Sequence, residues 1–509
     1  MPDESRAPQR FNAARYCLAE NARLRPDKPA LVLAGPETAS VLTFAEADRA
    51  VRGIAAGLEA LGLPPGARVM IRMGNEADYV LAYFGALAAG LVALPSSPQL
   101  TAEEAGFLLR DADASVVVHG NGIAIEGADA QGRILLGPEA IAAMKTGPAR
   151  EDYADTAAED PATLVYTSGT TSHPKGVLHA HRAVHARRPM HAHWLGLTEA
   201  DVMLHAGTMN WTYTLGVGIA DPWAVGATSV VYEGPRDPGI WPALIARHRA
   251  TLFAAVPSVF RQLLKYAGAD ASDLSSLRHG VTAGEALSAE LLEAWTRATG
   301  KPLYEALGMS EVSTYVSSGP TIPVRPGSPG RPQPGRRVAI LPVDGPPEPL
   351  PPDEVGLLAV HRSEPGLMLG YWNRPDEEAA VMRGDWFAGG DLARLDAEGY
   401  LWFEGRNDDL MNAMGYRVSP VEVEAALAAH PDVAEVGVAE LAVRADVSVI
   451  GGFVVLKPGA VADEAALIAW CRDRLAAYKC PRAIRFLGAL PRTANGKVQR
   501  KRLAAASAR

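Results

Sequence analysis

Hydrophobic and polar positions alternate along the chain with two different spacings. From residue 40 to residue 62, apolar side chains return every three or four positions, which predicts an amphipathic helix. These apolar positions are Phe44, Ala47, Val51, Ile54, Leu58 and Leu61. Short apolar runs at 68–73 and 115–119 predict strands instead. Residues 79–94 are apolar on every side, which predicts a buried helix that runs into a short strand at 92–94.

Turn and capping residues separate these segments. Pro64, Pro65 and Gly66 break the chain before the strand predicted at 68–73. Thr101 and Glu104 have the spacing of a capping box, because each side chain can satisfy the other residue's backbone amide, so a helix should begin there. Predicted strands and helices keep alternating, which indicates an α/β fold with largely parallel sheets.

The chain changes character after its middle. Proline and glycine crowd residues 319–352, which predicts an irregular segment followed by a small β-subdomain with a strand at 356–361. Residues 389–391 are expected to form a turn, and residues 399–406 a hairpin and a strand.

A compact α/β unit is expected at the C-terminal end. Pro420 suits the first position of a helix, strands are predicted near 433–438 and 449–456, and a further helix near 464–477. We place the domain boundary at 407–408, which gives an N-terminal domain at 1–407 and a C-terminal domain at 408–509.

Composition narrows the class of protein. The chain has 509 residues, of which 48% are apolar, so it can build large cores in more than one domain. A net charge of −9 argues against a general nucleic-acid binder. Cys17, Cys471 and Cys480 lie far apart, so we expect no disulfide framework and a reducing compartment. The polar N-terminus lacks the apolar core of a signal peptide and no apolar run suits a membrane span, so we expect a cytoplasmic protein.

The most informative stretch lies at 166–176 and reads Tyr-Thr-Ser-Gly-Thr-Thr-Ser-His-Pro-Lys-Gly. Hydroxyl side chains surround a glycine that lets backbone amides approach a ligand, and a lysine adds one ammonium group, which together suit a polyphosphate. The residues are Thr167, Ser168, Gly169, Thr170, Thr171 and Lys175. An ordinary P-loop has Ser or Thr directly after its lysine, whereas Gly176 follows Lys175 here.

This stretch resembles the phosphate loop of the adenylate-forming superfamily, which comprises acyl-CoA synthetases, peptide-synthetase adenylation domains and luciferases. Ser172 stands where that family usually has glycine. Further motifs follow in the family's order, so the resemblance extends over nearly the whole chain and is greatest to the benzoate and medium-chain acyl-CoA ligase branch. It implies a large N-terminal domain of two α/β subdomains and a small β-subdomain, followed by a small, mobile α+β C-terminal domain.

The resemblance also implies ATP, Mg²⁺ and coenzyme A as cofactors and co-substrates. Glu311 and Thr170 would bind Mg²⁺, whose preference for hard oxygen ligands they suit. Asp391 and Arg406 would contact the ribose. The remaining residues that the resemblance assigns to ATP or AMP lie in two nucleotide-binding loops, one at the glycine turn after a strand predicted at 281 and one at 303–311; they are Gly284, Glu285, Ala286, Leu307, Gly308, Met309 and Ser310.

Three residues of the predicted C-terminal domain match family residues that serve catalysis, the hinge and the thiol channel. Lys497 would bridge the carboxylate and the α-phosphate while the adenylate forms, and it counts with Glu311 and Thr170 as catalytic. Asp408 matches the hinge about which the small domain rotates, and Gly415 matches the glycine that lines the pantetheine channel. Without the resemblance, Lys497 would be an ordinary solvated lysine of a basic tail.

The acyl pocket is the least determined part of the resemblance. The matching segment places Asn210, Trp211 and Tyr213 in the pocket wall, although each alone also suits an aromatic core. Gly308 stands where acetyl-CoA synthetases have a tryptophan, so we expect a pocket larger than acetate needs. Leu307 replaces an aromatic residue that stacks on adenine in many members, so the adenine contact would be apolar packing.

Five histidines lie within fifteen residues, at 179, 181, 185, 191 and 193. A zinc site is one interpretation, because His181 and His185 are four residues apart on a predicted helix. No glutamate or cysteine completes a zinc motif, which favours packed or solvated histidines.

Several functions share these motifs. The first hypothesis is a carboxylate–CoA ligase for an aromatic or short- to medium-chain acid. A free-standing adenylation enzyme that loads a carrier protein is the first alternative, and a non-catalytic nucleotide-binding member is the second. A luciferase-type oxygenase shares the motifs, but no residue argues for it. The sequence leaves open the acid, the pathway and the oligomeric state, a homodimer included.

Overall fold

The structure is a computed structural model that describes most of the chain. The described residues are 6–123, 132–167, 174–235, 237, 239–266, 274–407, 411–413, 416–444, 447–475, 479–492 and 498–505. They divide into two compact units, one of residues 6–337 and 362–380 and one of residues 338–361 and 381–505. The boundary at 407–408 proposed from the sequence stays a prediction.

The helices are amphipathic or buried segments between turns. They are α1 Ala13–Leu24, α2 Phe44–Glu59, α3 Ala77–Ala88, α4 Ala102–Asp111, α5 Pro138–Thr146, α6 Arg182–His185, α7 Arg188–His193, the π-helix Thr214–Ala220, α8 Asp221–Val225, α9 Ile240–His248, α10 Pro257–Tyr266, α11 Ala289–Thr299, α12 Pro375–Val381, α13 Pro420–Ala428, α14 Glu464–Arg472 and α15 Arg500–Ala505. Among the described helices, none has the length and apolar character that crossing a membrane requires.

Strands β1 to β19 are given first, in chain order. They are β1 Pro29–Ala34, β2 Ala39–Thr43, β3 Arg68–Arg72, β4 Val92–Ser96, β5 Ala114–His119, β6 Ile134–Leu136, β7 Pro161–Thr167, β8 Lys175–Ala180, β9 Val202–His205, β10 Thr228–Tyr232, β11 Leu252–Ala255, β12 His279–Ala283, β13 Leu303–Met309, β14 Ser313–Ser317, β15 Arg331–Pro332, β16 Val338–Leu341, β17 Gly356–His361, β18 Gly370–Tyr371 and β19 Met382–Arg383. The later strands are β20 Trp386–Leu395, β21 Leu401–Arg406, β22 Met411–Ala413, β23 Tyr416–Val418, β24 Val433–Arg444, β25 Val447–Leu456 and β26 Ala483–Phe486.

The first unit contains two largely parallel sheets. One has the strand order β15-β14-β13-β12-β11-β9-β10-β1-β2 and the other β18-β8-β7-β4-β3-β5-β6. One continuous core joins side chains from both sheets to helices α1, α2 and α3, so a helical layer lies between the sheets. Other cores cover the outer faces of the two sheets. The predicted pair of α/β subdomains is confirmed.

The second unit combines an antiparallel sheet with a small α+β assembly. Strands β16, β17, β20 and β19 form the sheet in that order, and β21 pairs with β20. The sheet β24-β25-β26 packs with α13 and α14 around a separate core. This unit contains both the small β-subdomain and the smaller C-terminal domain that were expected.

Two local signals worked as expected. Thr101 caps α4, because its hydroxyl accepts the Glu104 amide while the Glu104 carboxylate accepts the Thr101 amide. The strand predicted at 356–361 is β17.

The first predicted helix begins later than expected. Residues 40–43 form the end of strand β2, because Thr43 and Glu46 close a capping box that starts α2 at Phe44. Residues 79–94 form the predicted helix and the short strand after it. Gly90 adopts a left-handed φ of 72° after α3, which ends the helix and frees Val92 to begin β4.

Two predicted turns or loops are strands. Residues 389–391 lie inside β20, where the positive φ of Gly390 falls at an irregularity in the pairing with β17. Most of the loop expected at 303–311 is β13, which pairs with β12 and β14. In both cases hydrogen bonds to strands on either side override the turn tendency of glycine.

Candidate active site

The predicted phosphate loop joins two antiparallel strands. Strand β7 ends at Thr167 and β8 begins at Lys175, and these two residues are paired across the hairpin. The hairpin therefore places Thr167 and Lys175 opposite each other at its loop end. Ser168, Gly169, Thr170 and Thr171 lie outside the described residues.

Lys175 lies in a cluster of charged and aromatic groups. Its ammonium forms an ion pair with Glu377 of α12 and lies 5.2 Å from the centre of the Tyr371 ring. Glu377 is also 4.0 Å from Arg374. Strand β18, which contains Tyr371, pairs with β8 of the hairpin. Directly after it, the Trp372 amide donates to the Gly176 carbonyl at 2.8 Å.

Glu311 is held from two directions. The hydroxyl of Tyr371 donates to its Oε1 at 2.7 Å, and the Met368 amide donates to its carbonyl at 2.7 Å. The neighbouring Ser310 carbonyl lies 2.7 Å from Nε2 of His179. Burial lowers the pKa of His179 to about 4, so the ring is neutral and Nε2 carries the proton of this bond.

The Glu311 carboxylate fits a magnesium ligand. Its oxygens are hard donors, and among the described residues Oε2 has no hydrogen-bond partner. Thr170, the other ligand predicted from the sequence, lies outside the described part of the chain. Both magnesium ligands stay predictions.

The predicted acyl wall follows β9. Trp211 and Tyr213 contact each other edge to face, with ring centres 5.6 Å apart. Tyr213 also contacts His205 at 4.6 Å and donates to the Val281 carbonyl at 3.3 Å. Asn210 is half-buried directly before Trp211. The glycine-rich residues after 213 form the buried π-helix, a rare conformation often found at functional sites.

The loop after β12, which is predicted to bind nucleotide, borders this wall. A Cβ placed on Gly284 would lie 3.6 Å from Cζ2 of Trp211, so the backbone of the loop packs beside the indole. Glu285 receives a weak hydrogen bond from Ser258 at 3.5 Å, and Ala286 is exposed. The structure thus brings the segments predicted for acid and for adenine together within the first unit.

A buried carboxyl supports the same loop. Oε1 of Glu305, on β13, accepts the Leu287 amide at 2.9 Å, and the Glu305 amide donates to Ser318 at 3.0 Å. Burial raises the pKa of Glu305 to about 7. Glu305 therefore joins β13 to the start of α11, behind the loop of residues 284–286.

The structure corrects the argument made for Gly308. A Cβ at this position would overlap the Ser313 carbonyl and lie 2.7 Å from Cα of Thr314, both in the backbone of β14. The glycine therefore permits close approach of β14, and its missing side chain does not open a free volume. Leu307 is half-buried, and Met309 and Ser310 are partly accessible at the end of the same strand.

Asp391 and Arg406, the two predicted ribose contacts, belong to the second unit. They face each other across β20 and β21, and Nη1 of Arg406 donates to Oδ1 of Asp391 at 3.1 Å. The Asp391 side chain is 16% exposed and that of Arg406 is 37% exposed. Both can therefore offer hydrogen-bonding groups to a ligand. Asp408, Gly415 and Lys497 lie outside the described residues.

The clustered histidines serve separate elements. His181 accepts the Ala13 amide, His191 pairs with Asp221, and His193 contacts Thr321. His181 precedes α6 and only His185 lies on it, which differs from the predicted helix. Within the described ranges, no group of histidine, cysteine and acidic side chains has a metal-binding arrangement.

Sequence reasoning missed Tyr371, Glu377 and Glu305, and it named His179 only as one of five clustered histidines. The sequence does mark Glu305 and His179, because each is a polar residue within an apolar strand, β13 and β8 respectively. Tyr371 and Glu377 have no such signal, since they are roughly two hundred positions beyond Lys175 and only the fold brings them to it.

Comparison with known proteins gives the family. Residues 18–372 match the family model of the AMP-binding enzyme, and residues 422–497 match that of the AMP-binding enzyme C-terminal domain. The chain is 31% identical to the benzoate–CoA ligase of Thauera aromatica, over 99% of this chain and 98% of that protein. It is 32% identical to the acetyl-coenzyme A synthetase of Bacillus subtilis (strain 168), over 86% and 80%.

A solved structure shows the same architecture over the whole length. The crystal structure of the anthranilate CoA ligase AuaEII in complex with anthranoyl-AMP has a TM-score of 0.88 and 30% identity, covering 98% of each chain. The two sequence relatives differ in the acids that their names give but hardly in identity, so overall identity does not select the acid. The chain belongs to the AMP-binding enzyme family, and within it to the AMP-forming acyl-CoA ligases.

Proposed function

We propose that this ligase activates an aromatic, benzoate-like carboxylic acid, or else a short- to medium-chain acid. The observation that carries the proposal is the contact between the acyl wall and the nucleotide loop, where the Trp211 indole packs beside Gly284. An acid lying against Trp211 and Tyr213 would have its carboxylate close to a nucleotide on that loop. Names of relatives support an aromatic acid, since they include benzoate and anthranilate ligases.

The proposed reaction has two steps at one site. The carboxylate attacks the α-phosphorus of ATP, an acyl–oxygen–phosphorus link forms, and the bond to pyrophosphate breaks. The thiol of coenzyme A then attacks the acyl carbon, loses its proton, and displaces AMP. Both reactants of the first step are anions, so the site must offset negative charge before chemistry can proceed.

The predicted site residues would supply this compensation. Lys175 would contact the β- and γ-phosphates with Thr167, Ser168, Gly169, Thr170 and Thr171. Mg²⁺, when bound by Glu311 and Thr170, would neutralise further phosphate charge. Adenine would lie against residues 284–286 and 307–310, and Asp391 and Arg406 would contact the ribose.

The C-terminal residues would separate the two steps. Lys497 would stabilise the charge that develops as the adenylate forms, and it would withdraw before the thiol enters. Asp408 would be the hinge of that movement, and Gly415 would leave room for the thin pantetheine arm beside the backbone. These three roles rest on the sequence resemblance.

Loading of a carrier protein is the alternative that shares every described residue. The two functions differ only in the thiol that accepts the acyl group. The test is a panel of benzoate, hydroxybenzoates, hexanoate, butyrate and acetate, each with ATP and with or without coenzyme A. We expect benzoate-like acids to give the highest kcat/KM, with AMP and acyl-CoA formed in equal amounts. AMP that accumulates only after a carrier protein is added would favour the alternative.

A further inference from the structure

The segment of residues 368–378, here called the clasp segment, docks on the phosphate hairpin through its backbone. The Leu369 amide donates to Leu178 at 2.7 Å, and the Trp372 amide donates to Gly176 at 2.8 Å. The indole of Trp372 donates to the Asp111 carbonyl at 2.9 Å. These bonds fix the clasp segment independently of its charged side chains.

Tyr371 is the part of the clasp segment that contacts both predicted charged groups. Its side chain is buried, its hydroxyl donates to Glu311, and its ring faces the ammonium of Lys175. A hydroxyl bonded to a carboxylate fixes the direction in which the other carboxylate oxygen points. A cation near an aromatic ring is attracted to the face of that ring. One side chain therefore orients both a metal-ligand candidate and a phosphate-binding candidate.

Glu377 provides the counter-charge. It forms the ion pair with Lys175, and the two side chains are only 30% and 18% exposed, so solvent screens the pair incompletely. Arg374 lies on the other side of Glu377 and is itself 3.3 Å from Asp111. A glutamate that loses Lys175 would therefore still have a cation beside it.

We propose that Tyr371 is a positioning residue for Glu311 and that Glu377 is a counter-ion which Lys175 exchanges for the phosphates of ATP. The inference rests on the proposed roles of Lys175 and Glu311. Without nucleotide, Glu377 keeps the partly buried ammonium paired. When triphosphate binds, Lys175 turns from a carboxylate to the phosphates, and Arg374 keeps Glu377 compensated. Binding of ATP therefore works against an internal competitor.

Calorimetric titration of the full chain with ATP and Mg²⁺, without acid, tests the exchange. Glu377→Gln should tighten ATP binding about fivefold, because the competing ion pair is removed. The matched control is Asp376→Asn, which removes the same charge from an exposed side chain one residue earlier. In a Lys175→Ala background, at least half of the gain from Glu377→Gln should disappear.

The outcomes separate the inference from the proposed function. If Lys175→Ala leaves ATP affinity unchanged, the proposed phosphate site itself is wrong. If Lys175→Ala weakens binding but Glu377→Gln does not tighten it beyond Asp376→Asn, the counter-ion exchange is overturned while the phosphate site stands.

A second variant tests Tyr371. Tyr371→Phe keeps the ring against Lys175 and removes only the hydroxyl that orients Glu311. We expect the Mg²⁺ concentration for half-maximal pyrophosphate release to rise about tenfold and kcat to fall, with little change in the KM for the acid. Tyr266→Phe, which removes an exposed hydroxyl, is the control. A lower melting temperature with an unchanged Mg²⁺ dependence would show that Tyr371 is only structural.

Discussion

Strand β13 and the hairpin of β20 and β21 both carry predicted nucleotide-binding residues, but they hold them differently. Around β13, Glu305 is buried against Leu287 and Ser318, and Gly308 is pressed against β14. On the hairpin, Asp391 and Arg406 are partly exposed and hold each other. Residues of the first region are held by buried groups of neighbouring elements, whereas those of the second pair with each other across one strand register.

This difference predicts which substitutions change stability and which change ligand binding or rate. Substitutions around β13 should change the stability of the first unit, since buried groups there have no room or solvent to relax into. Substitutions on exposed side chains of the second unit should change ligand binding or rate at little cost in stability. The following variants test that division in order of expected effect.

Lys497→Ala should have the largest effect and should act on rate alone. We expect adenylation, followed by pyrophosphate release, to slow about a thousandfold, because a cation that acts in the transition state is lost. Formation of acyl-CoA from supplied acyl-adenylate should persist. Arg502→Ala, which removes an exposed cation of the same basic tail, is the control. Equal loss of both half-reactions would contradict a role confined to adenylation.

Glu305→Gln should change how stability depends on pH. The pKa of Glu305 is raised from 4.5 to about 7, so the folded protein binds more protons than the unfolded chain between those values. Stability should therefore fall as pH rises from 4.5 to 7, by on the order of 3 kcal/mol, and level off above 7. The variant should lose this slope.

Thermal unfolding between pH 5 and pH 8 measures this slope. Glu290→Gln, at an exposed glutamate of α11, should retain it. Parallel pH profiles for the wild type and Glu305→Gln would show that Glu305 is not held neutral by burial.

Gly308→Ala should destabilise the first unit by about 1–3 kcal/mol, because its Cβ would meet the backbone of β14, which must shift. The apparent melting temperature measures this effect. Gly488→Ala, at a glycine with nothing within 4 Å of its Cβ position, should leave the melting temperature unchanged. A stable Gly308→Ala variant with altered acid preference would restore the open-pocket explanation.

Asp391→Asn should have the smallest effect on the fold and a clear effect on ATP. We expect the Kd for ATP to rise about tenfold, while the partly exposed ion pair contributes no more than ~1 kcal/mol to stability. Glu404→Gln breaks another ion pair of the same hairpin, with Arg394, and should leave ATP affinity unchanged. Matching losses of affinity in both variants would mean that the hairpin responds as a whole.

The sequence predicted the parts of the molecule that follow from local rules. Alternating segments indicated the α/β layers, and the capping box at Thr101 started α4 as expected. Prediction failed where neighbouring strands decided the outcome, as at residues 389–391, whose glycines form part of β20 and not a turn. Apolar periodicity likewise extended α2 into β2, whose pairing with β1 no local pattern reveals.

The site residues show the same division between what local patterns predict and what the fold decides. Sequence motifs identified Lys175, Glu311, Asp391 and Arg406. The pairing register of β20 and β21 explains why Asp391 and Arg406 are adjacent. No local pattern could place Tyr371 between Lys175 and Glu311, because that contact depends on β18 joining the edge of a sheet.

The central claim is that the acid binds against Trp211, next to the nucleotide loop. Its most direct test is the kinetics of Trp211→Ala, with Trp211→Phe as the ring-retaining control. We predict that Trp211→Ala raises the KM for benzoate-like acids on the order of tenfold to a hundredfold, since a large apolar contact is lost, while ATP affinity measured without acid stays unchanged. Trp211→Phe should recover most of the loss. An unchanged acid KM in Trp211→Ala, or an equal loss for acetate and benzoate, would contradict the account.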